Sequence, residues 1–186
     1  MLRTDLHITL PDWVAQTVDV AIAYPDDAGK VALAVELSRR NAESRSGGPF
    51  GAVVFGPDHR PLAAGVNCVV PLHNSLAHAE ILALMLAQRQ LRIPRLNTAM
   101  HPITLATSSQ PCCQCFGATV WAGIDRLLIG ARGDDVIALA GFDEGPLPSD
   151  WIGELNRRGI EVVRDLHRDA ACDVLRAYRR HDGALY

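Results

Sequence analysis

Three cysteines crowd into four positions of the sequence, at Cys112, Cys113 and Cys115. The C-x-x-C spacing of Cys112 and Cys115 allows two thiolates to bind one Zn²⁺. Because Pro111 favours the start of a helix, we expect both thiols in its first turn, where unpaired amides and the helix dipole favour thiolate. Such a pair alone is also typical of a redox dithiol or of half a structural metal site.

A histidine and a carboxylate, His78 and Glu80, open an apolar segment that precedes the cysteines. Either residue alone would be more typical of a hydrogen-bonded core histidine or of an exposed helix carboxylate. An H-x-E pattern followed by P-C-x-x-C is instead typical of the zinc centres that deaminate nucleosides and bases. The combination predicts a zinc site with His78, Cys112 and Cys115 as ligands.

Three protein ligands leave the fourth tetrahedral position to water or hydroxide, which distinguishes a catalytic zinc ion from a closed structural one. Zinc lowers the pKa of such a water from about 15.7 toward 7, so that hydroxide is available at neutral pH. Glu80 is the predicted proton shuttle between this water, a ring nitrogen and the departing amine. Apolar surroundings would raise its pKa and suit both directions of transfer.

Hydrophobic periodicity and the positions of Gly and Pro predict the elements that hold these residues. The predicted helices are Asp27–Arg45, a buried helix from a Ser75 cap to about Leu91, Cys112–Ala122 and Asp169–Arg180. The predicted strands are Phe50–Phe55, Leu62–Val70, Ile103–Thr107, Arg126–Gly130 and Ile160–Val163. We therefore expect an α/β fold, a three-layer α/β/α sandwich around a five-stranded mixed sheet.

Composition restricts the class of protein. The 186 residues are 48% hydrophobic and contain no long Gly/Ser/Pro-rich linker, so we expect one domain. A net charge of −3 makes polymeric nucleic acid a poor first choice of partner. The apolar runs are shorter than the roughly 20 residues that span a bilayer, no signal peptide is recognisable, and the five cysteines form no disulfide framework. A soluble cytoplasmic protein with no membrane partner is expected.

From about Gly47 to Gly145, with weaker similarity to Tyr186, the chain resembles the cytidine and deoxycytidylate deaminase superfamily. The bacterial guanine deaminases are the branch that fits best. The motifs that carry the resemblance are Gly47–Val54, Gly65-Val66-Asn67, His78-Ala79-Glu80, Pro111-Cys112, Cys115–Ala118, Trp121-Ala122 and Ala140–Glu144.

This resemblance implies a cytidine deaminase-like fold, one zinc ion per chain, and conversion of guanine to xanthine and ammonia. It implies that Glu144 is a second catalytic acid that helps to bind the purine. It also implies that Asn67 hydrogen-bonds the base and that Ala79 belongs to the substrate site. Phe50 and Trp121 are candidate aromatic walls for the flat ring, with simple core packing as an equal alternative.

In the same family the C-terminal segment closes the pocket in a domain-swapped homodimer. The stretch from about residue 165 to Tyr186 is therefore a candidate helix and lid, against the alternative that Tyr186 belongs to a frayed end. Many relatives have glutamate at the position of Gln110, which puts any role of that carboxylate in doubt. The roles of Cys113 and of an N-terminal extension, Met1–Pro25, stay open.

Other amino-heterocycles are alternative substrates: cytosine, a triazine such as ammeline, or adenosine in tRNA. A tRNA editor should carry a basic surface, but Lys30 is the only lysine and acidic residues are in excess. An alternative of another class is a non-catalytic zinc module. A closed structural site would not need Glu80, which argues against the module.

Overall fold

Strands and helices alternate along most of the chain. The computed structural model of the protein describes residues 1–2 and 4–186. Its helices are α1 (Trp13–Thr17), α2 (Asp27–Glu43), α3 (Val69–Leu72), α4 (Ala79–Leu91), α5 (Cys113–Ala122), α6 (Gly133–Ala140), α7 (Trp151–Arg157) and α8 (Arg168–Arg180), with a 3₁₀ turn at Leu96–Thr98. Its strands are β1 (Gly51–Phe55), β2 (Pro61–Val66), β3 (Thr104–Ser109), β4 (Arg126–Ala131) and β5 (Glu161–Val163).

The strands form one mixed sheet in the order β2-β1-β3-β4-β5. Strand β1 pairs antiparallel with both β2 and β3, whereas the β3–β4 and β4–β5 pairs are parallel. The predicted five-stranded mixed sheet is confirmed. Because β3 and β4 are parallel, the loops that lead into α5 and α6 leave the same edge of the sheet.

Side chains alternate between the two faces of the sheet, as expected for strands that are covered on both sides. Val53 and Phe55 pack with residues of α2 and α8, whereas Ala52 and Val54 pack with residues of α4 and α5. The helices thus cover both faces, and the predicted α/β/α sandwich is confirmed.

Helix α4, which follows His78, packs so closely on β2 that the two backbones are in contact at Gly65. A Cβ atom at Gly65 would overlap the carbonyl oxygen of Ala79 and lie 2.6 Å from the amide nitrogen of Ala83. Only glycine fits at this crossing, because the obstacles are backbone atoms that cannot rotate away. Gly65 therefore allows the close contact that sets the position of the start of α4, where the predicted catalytic residues lie.

Two predicted element ends are wrong for local polar reasons. The strand predicted to reach Val70 ends at Val66, because the side-chain oxygen of Asn67 accepts the Val69 N–H and turns the chain into α3. The buried helix begins at Ala79 rather than after a Ser75 cap, and His78, with an extended backbone, takes the cap position. Among the described residues, no helix combines the length and apolar character required to cross a membrane.

Helices α1, α3, α6 and α7 were not predicted. Helix α7 does carry a start signal, since the Asp150 carboxylate accepts the Gly153 N–H, but it has only 7 residues. Helix α6 begins where the Asp135 carboxylate accepts the Arg132 N–H. Short helices of this kind leave little periodicity to detect in the sequence.

Candidate active site

Two helix starts meet at the predicted metal ligands. His78 immediately precedes α4 and Cys112 immediately precedes α5, both with extended backbone, while Cys115 lies in the first turn of α5. The Nδ1 atom of His78 lies 3.5 Å from the Sγ atom of Cys112 and 3.6 Å from that of Cys115. One ligand atom from each residue can be chosen so that all lie within 4.8 Å of one another. The structure brings the three predicted ligands together.

The donor set fits zinc. Tetrahedral bonds of about 2.0–2.1 Å to nitrogen and about 2.3 Å to sulfur place two donors about 3.6 Å apart, which matches the His78–sulfur distances. Hydrogen bonding with Cys115, assisted by His78, lowers the pKa of the Cys112 thiol to about 4 and favours the thiolate that a metal requires. His78, Cys112 and Cys115 thus form a zinc-binding group.

Glu80 lies in the first turn of α4 and is only 8% exposed. Burial, with a smaller contribution from the Cys112 thiolate, raises the pKa of its carboxyl group to about 7. A group with this pKa can both take up and release a proton near neutral pH. Its position beside the three ligands suits the predicted proton transfer.

A cavity of about 190 Å³ opens beside the ligands. Most of its walls are apolar, with several polar groups converging from different elements, as in many small-molecule sites. Its lining residues are Phe50, Asn67, Val69, Ser75, His78, Glu80, Gln110, Cys112, Phe142, Asp143, Glu144 and Tyr186. Most of the predicted site residues therefore face one space.

Glu144 enters the cavity from the segment after α6. Gly141 ends that helix with a φ of 83°, a conformation that favours glycine, and turns the chain back toward the site. The Cys113 N–H then donates a 3.0 Å hydrogen bond to the Glu144 carbonyl oxygen. Burial, followed by repulsion from Cys112 and Glu80, raises the pKa of the Glu144 carboxyl group to about 8.

Aromatic rings form one side of the cavity. The Phe50 and Phe142 rings meet edge to face at 5.1 Å, and Phe142 lies 5.0 Å from the Tyr186 ring. Phe50 is therefore both a packed residue and a cavity wall. Tyr186 lies in the cavity, where burial raises the pKa of its phenol. Trp121 is 79% exposed near the far end of α5, so it belongs neither to the cavity wall nor to the core of this chain.

Asn67 is almost fully buried, and its side-chain orientation is fixed by the backbone. The Oδ1 atom accepts the Gly48 N–H at 3.4 Å and the Val69 N–H at 3.2 Å. Its amide N–H groups therefore remain as donors beside the cavity. Ala79 is fully buried beside Gly65, and its side chain is not part of the cavity wall.

Five cavity residues were not assigned a role in the site from the sequence: Val69, Ser75, Gln110, Phe142 and Asp143. Gln110 is anchored outside the site, since its Oε1 atom accepts the Gly133 N–H at the start of α6. Its position next to the cysteine motif was the only available signal. Val69 begins α3 and the other three lie in short connecting segments, where spacing in the sequence does not show which side chains face inward.

Comparison with known proteins adds independent evidence. Residues 26–131 match the family model of the cytidine and deoxycytidylate deaminase zinc-binding region. A guanine deaminase from Bacillus subtilis (strain 168) is 36% identical over 111 residues, which cover 60% of this chain and 67% of that protein.

Solved structures extend the similarity over almost the whole chain. The guanine deaminase from Nitrosomonas europaea is 43% identical, with a TM-score of 0.87 and coverage of 97% of this chain and 99% of that one. A structure in complex with 2,6-diaminopurine is 44% identical, with a TM-score of 0.88 and coverage of 97% and 95%. The similarity is therefore not confined to the segment that carries the zinc ligands.

Proposed function

Because the chain belongs to the cytidine and deoxycytidylate deaminase zinc-binding family, we propose that it is a hydrolase that converts guanine to xanthine and ammonia. The observation that carries the proposal is the meeting of a zinc-binding group, the buried acid Glu80 and the half-buried acid Glu144 in one small cavity. The choice of guanine is supported by the similarity to guanine deaminases along most of the chain.

His78, Cys112 and Cys115 would hold one zinc ion per chain, with a water molecule completing the coordination. Bound zinc supplies a Lewis acid that makes water nucleophilic near neutral pH. The protein contributes deprotonated thiols at a helix start, which the low pKa of Cys112 favours.

Glu80 carries the protons in this proposal. The water oxygen bonds to the ring carbon that bears the amino group, and Glu80 moves the water proton to the adjacent ring nitrogen. The remaining proton of the added hydroxyl group then passes through a carboxylate to the amino group, the carbon–nitrogen bond breaks, and ammonia leaves as the hydroxyl oxygen becomes a carbonyl oxygen of xanthine. The raised pKa values of Glu80 and Glu144 allow either carboxyl group to supply that proton near neutral pH.

The remaining walls would orient the base. The Asn67 amide donates to a ring acceptor such as a purine oxygen or nitrogen, and Glu144 pairs with the N–H edge of guanine. Phe50 and Tyr186 supply apolar surface beside the flat ring. Ala79 contributes through its backbone N–H, which at the first position of α4 has no acceptor within the helix.

A homodimer remains part of the proposal, with or without exchange of the C-terminal segment, as does a cytoplasmic location. Within one chain, Tyr186 already reaches the cavity and packs on Phe142. Catalysis therefore does not require an exchanged segment in this arrangement. Nucleic acid and membranes are not proposed as partners.

Ammonia release from a panel of amino-heterocycles tests the substrate. The panel is guanine, guanosine, cytosine, adenine, ammeline and an adenosine-containing tRNA. We expect kcat/KM for guanine to exceed that for each other compound by at least about 10²-fold, because mismatched buried hydrogen-bonding groups are costly. Preference for ammeline or cytosine would contradict guanine as the substrate but would still support a deaminase. Zinc binding without ammonia release from any compound would indicate a non-catalytic module.

A further inference from the structure

Asn41 on α2 has a buried side-chain amide that contacts the backbone of the loops behind the cavity wall. The side chain of Asn41 is fully buried, and its Nδ2 atom donates 2.8 Å hydrogen bonds to the carbonyl oxygens of both Gly48 and Asn67. These two residues lie in separate loops, one before β1 and one after β2. Asn41 therefore joins the loop of Gly48 to the loop of Asn67, whose side-chain amide is the proposed base-binding group.

The other polar atom of Asn41 is also occupied. Its Oδ1 atom accepts a 2.7 Å hydrogen bond from the Ser46 hydroxyl group. Gly47 closes the space around the amide, because a Cβ atom there would lie 2.8 Å from the Asn41 Nδ2 atom and overlap the Asn67 carbonyl oxygen. With all its groups paired and no adjacent space, this amide has a single orientation.

The same two loops are joined a second time, by Asn67 itself. Its side-chain oxygen accepts the N–H groups of Gly48 and Val69, so its backbone carbonyl and its side-chain oxygen are both held. Only the Asn67 amide N–H groups are left to meet a ligand. The direction in which they point is set by the backbone that Asn41 holds.

We propose that Asn41 is a positioning residue for substrate: it holds the backbone of Asn67 so that the Asn67 amide meets the acceptor of the base. This inference rests on the proposed function, because it assumes that Asn67 contacts the base. Its physical basis is that small displacements of a binding group are expensive, with about 1 Å costing up to about 10²-fold in rate.

A double-mutant cycle with Asn41→Ala and Asn67→Ala tests the coupling. We expect Asn41→Ala alone to lower kcat/KM for guanine about 10-fold, mostly through KM, because ground-state binding of the base is weakened. In the Asn67→Ala protein the same change should alter kcat/KM less than about 2-fold, since no amide remains to be positioned. An equal loss in both proteins, or no loss in either, would overturn the proposal.

A matched control lies one turn earlier on the same helix. Ser38 is also buried, and its hydroxyl donates a 2.7 Å hydrogen bond to the Pro49 carbonyl oxygen without contacting Asn67. Ser38→Ala should therefore lower stability but leave KM for guanine near that of the wild type. A KM increase as large as that of Asn41→Ala would mean that general loosening of the loop is sufficient, and would refute a specific role.

Binding separates this inference from the proposed reaction. The affinity for 2,6-diaminopurine, measured by calorimetry on zinc-loaded Glu80→Gln protein, should fall about 10-fold when Asn41→Ala is added, whether or not guanine is turned over. If Asn41→Ala does not fold, Asn41→Ser, which keeps one donor, should give a smaller loss of the same kind. Unchanged affinity in a folded variant contradicts the positioning role, whereas absence of guanine turnover in the wild type contradicts only the proposed function.

Discussion

The carboxyl group of Glu80 differs from the acids of α2 by its burial beside the three candidate zinc ligands. We predict that Glu80→Gln lowers kcat by at least about 10³-fold, because proton transfer by a positioned group contributes about 10²–10⁴-fold. Zinc content should stay at the wild-type level, since the ligands are unchanged. Ammonia release and metal analysis measure the two quantities. Exposed Glu36, changed to Gln, is the control, and near-normal turnover of Glu80→Gln would exclude the proton-shuttle role.

Two adjacent acids allow a sharper test of the second proposed catalytic group. Glu144 and Asp143 both line the cavity, but the Asp143 carboxylate already accepts the Gly145 N–H. We predict that Glu144→Gln lowers kcat/KM for guanine about 10²-fold or more, whereas Asp143→Asn stays within a few-fold of wild type. Steady-state kinetics of the two variants compare them directly. Equal losses would show that only the local negative charge matters.

At the residue scale, functional residues that belong to motifs of fixed spacing could be predicted, whereas the burial of single side chains could not. The zinc ligands and Glu80 follow from H-x-E and C-x-x-C, because adjacent helix positions fix which side chains share a turn. Asn41 was missed, since a single polar residue in an amphipathic helix carries no sign of its partners. Trp121 shares a motif with the buried residue Ala122, but its own side chain faces solvent, so neither of its two candidate roles is seen in this chain.

The contact between α4 and β2 determines where His78 and Glu80 stand. We predict that Gly65→Ala lowers the free energy of unfolding by about 1–3 kcal/mol, because the added methyl group meets helix backbone. Gly117→Ala on α5 is the matched control, since a Cβ atom there has no atom within 4 Å. It should raise stability by about 0.5–1 kcal/mol through helix propensity. Urea denaturation measures both, and a neutral Gly65→Ala would contradict the tight crossing.

Helices α6 and α8 are joined by an ion pair whose strength depends on pH. Two hydrogen bonds of 2.7 and 2.8 Å from Arg168 to Asp135 lower the pKa of that carboxyl group to about 2. A lowered folded-state pKa stabilises the fold above the unfolded value near 3.9, and the stabilisation is lost as pH falls toward 2.

Asp135→Asn should therefore lower the urea midpoint at pH 7, and its difference from wild type should shrink between about pH 4 and pH 2. Asp173→Asn, which removes an exposed pair with Arg176, is the control and should change the midpoint little at any pH. A pH-independent difference for Asp135→Asn would show that packing, rather than charge, is lost.

At the element scale, long periodic segments were predicted well and their ends less well. The five strands and the helices α2, α4, α5 and α8 follow from apolar periodicity. Strands that are covered on both faces, and helices that pack on a sheet, need apolar side chains at regular positions. The apolar pair Val69–Val70 favoured an extended strand, but the side chain of Asn67 starts a helical turn there. This hydrogen bond joins residues only two positions apart, and such a local bond from an asparagine side chain overrides the strand propensity of the valine pair.

For the whole molecule, the homodimer stays a prediction with a simple test. Light scattering should give a mass near twice that of the 20.1 kDa chain. Because Tyr186 lines the cavity of its own chain, we expect specific activity not to change on dilution through the dissociation range. Activity that disappears with the dimer would instead indicate that a partner contributes to the site.

Deamination of guanine by this chain depends on one fold that brings together a zinc-binding group, two acids and a base-sized cavity. The most direct test is the balance of products formed by zinc-loaded protein incubated with guanine. We expect one xanthine and one ammonia for each guanine consumed, loss of the reaction after chelation, and recovery on addition of zinc. Fully zinc-loaded, folded protein that leaves guanine unchanged would contradict it.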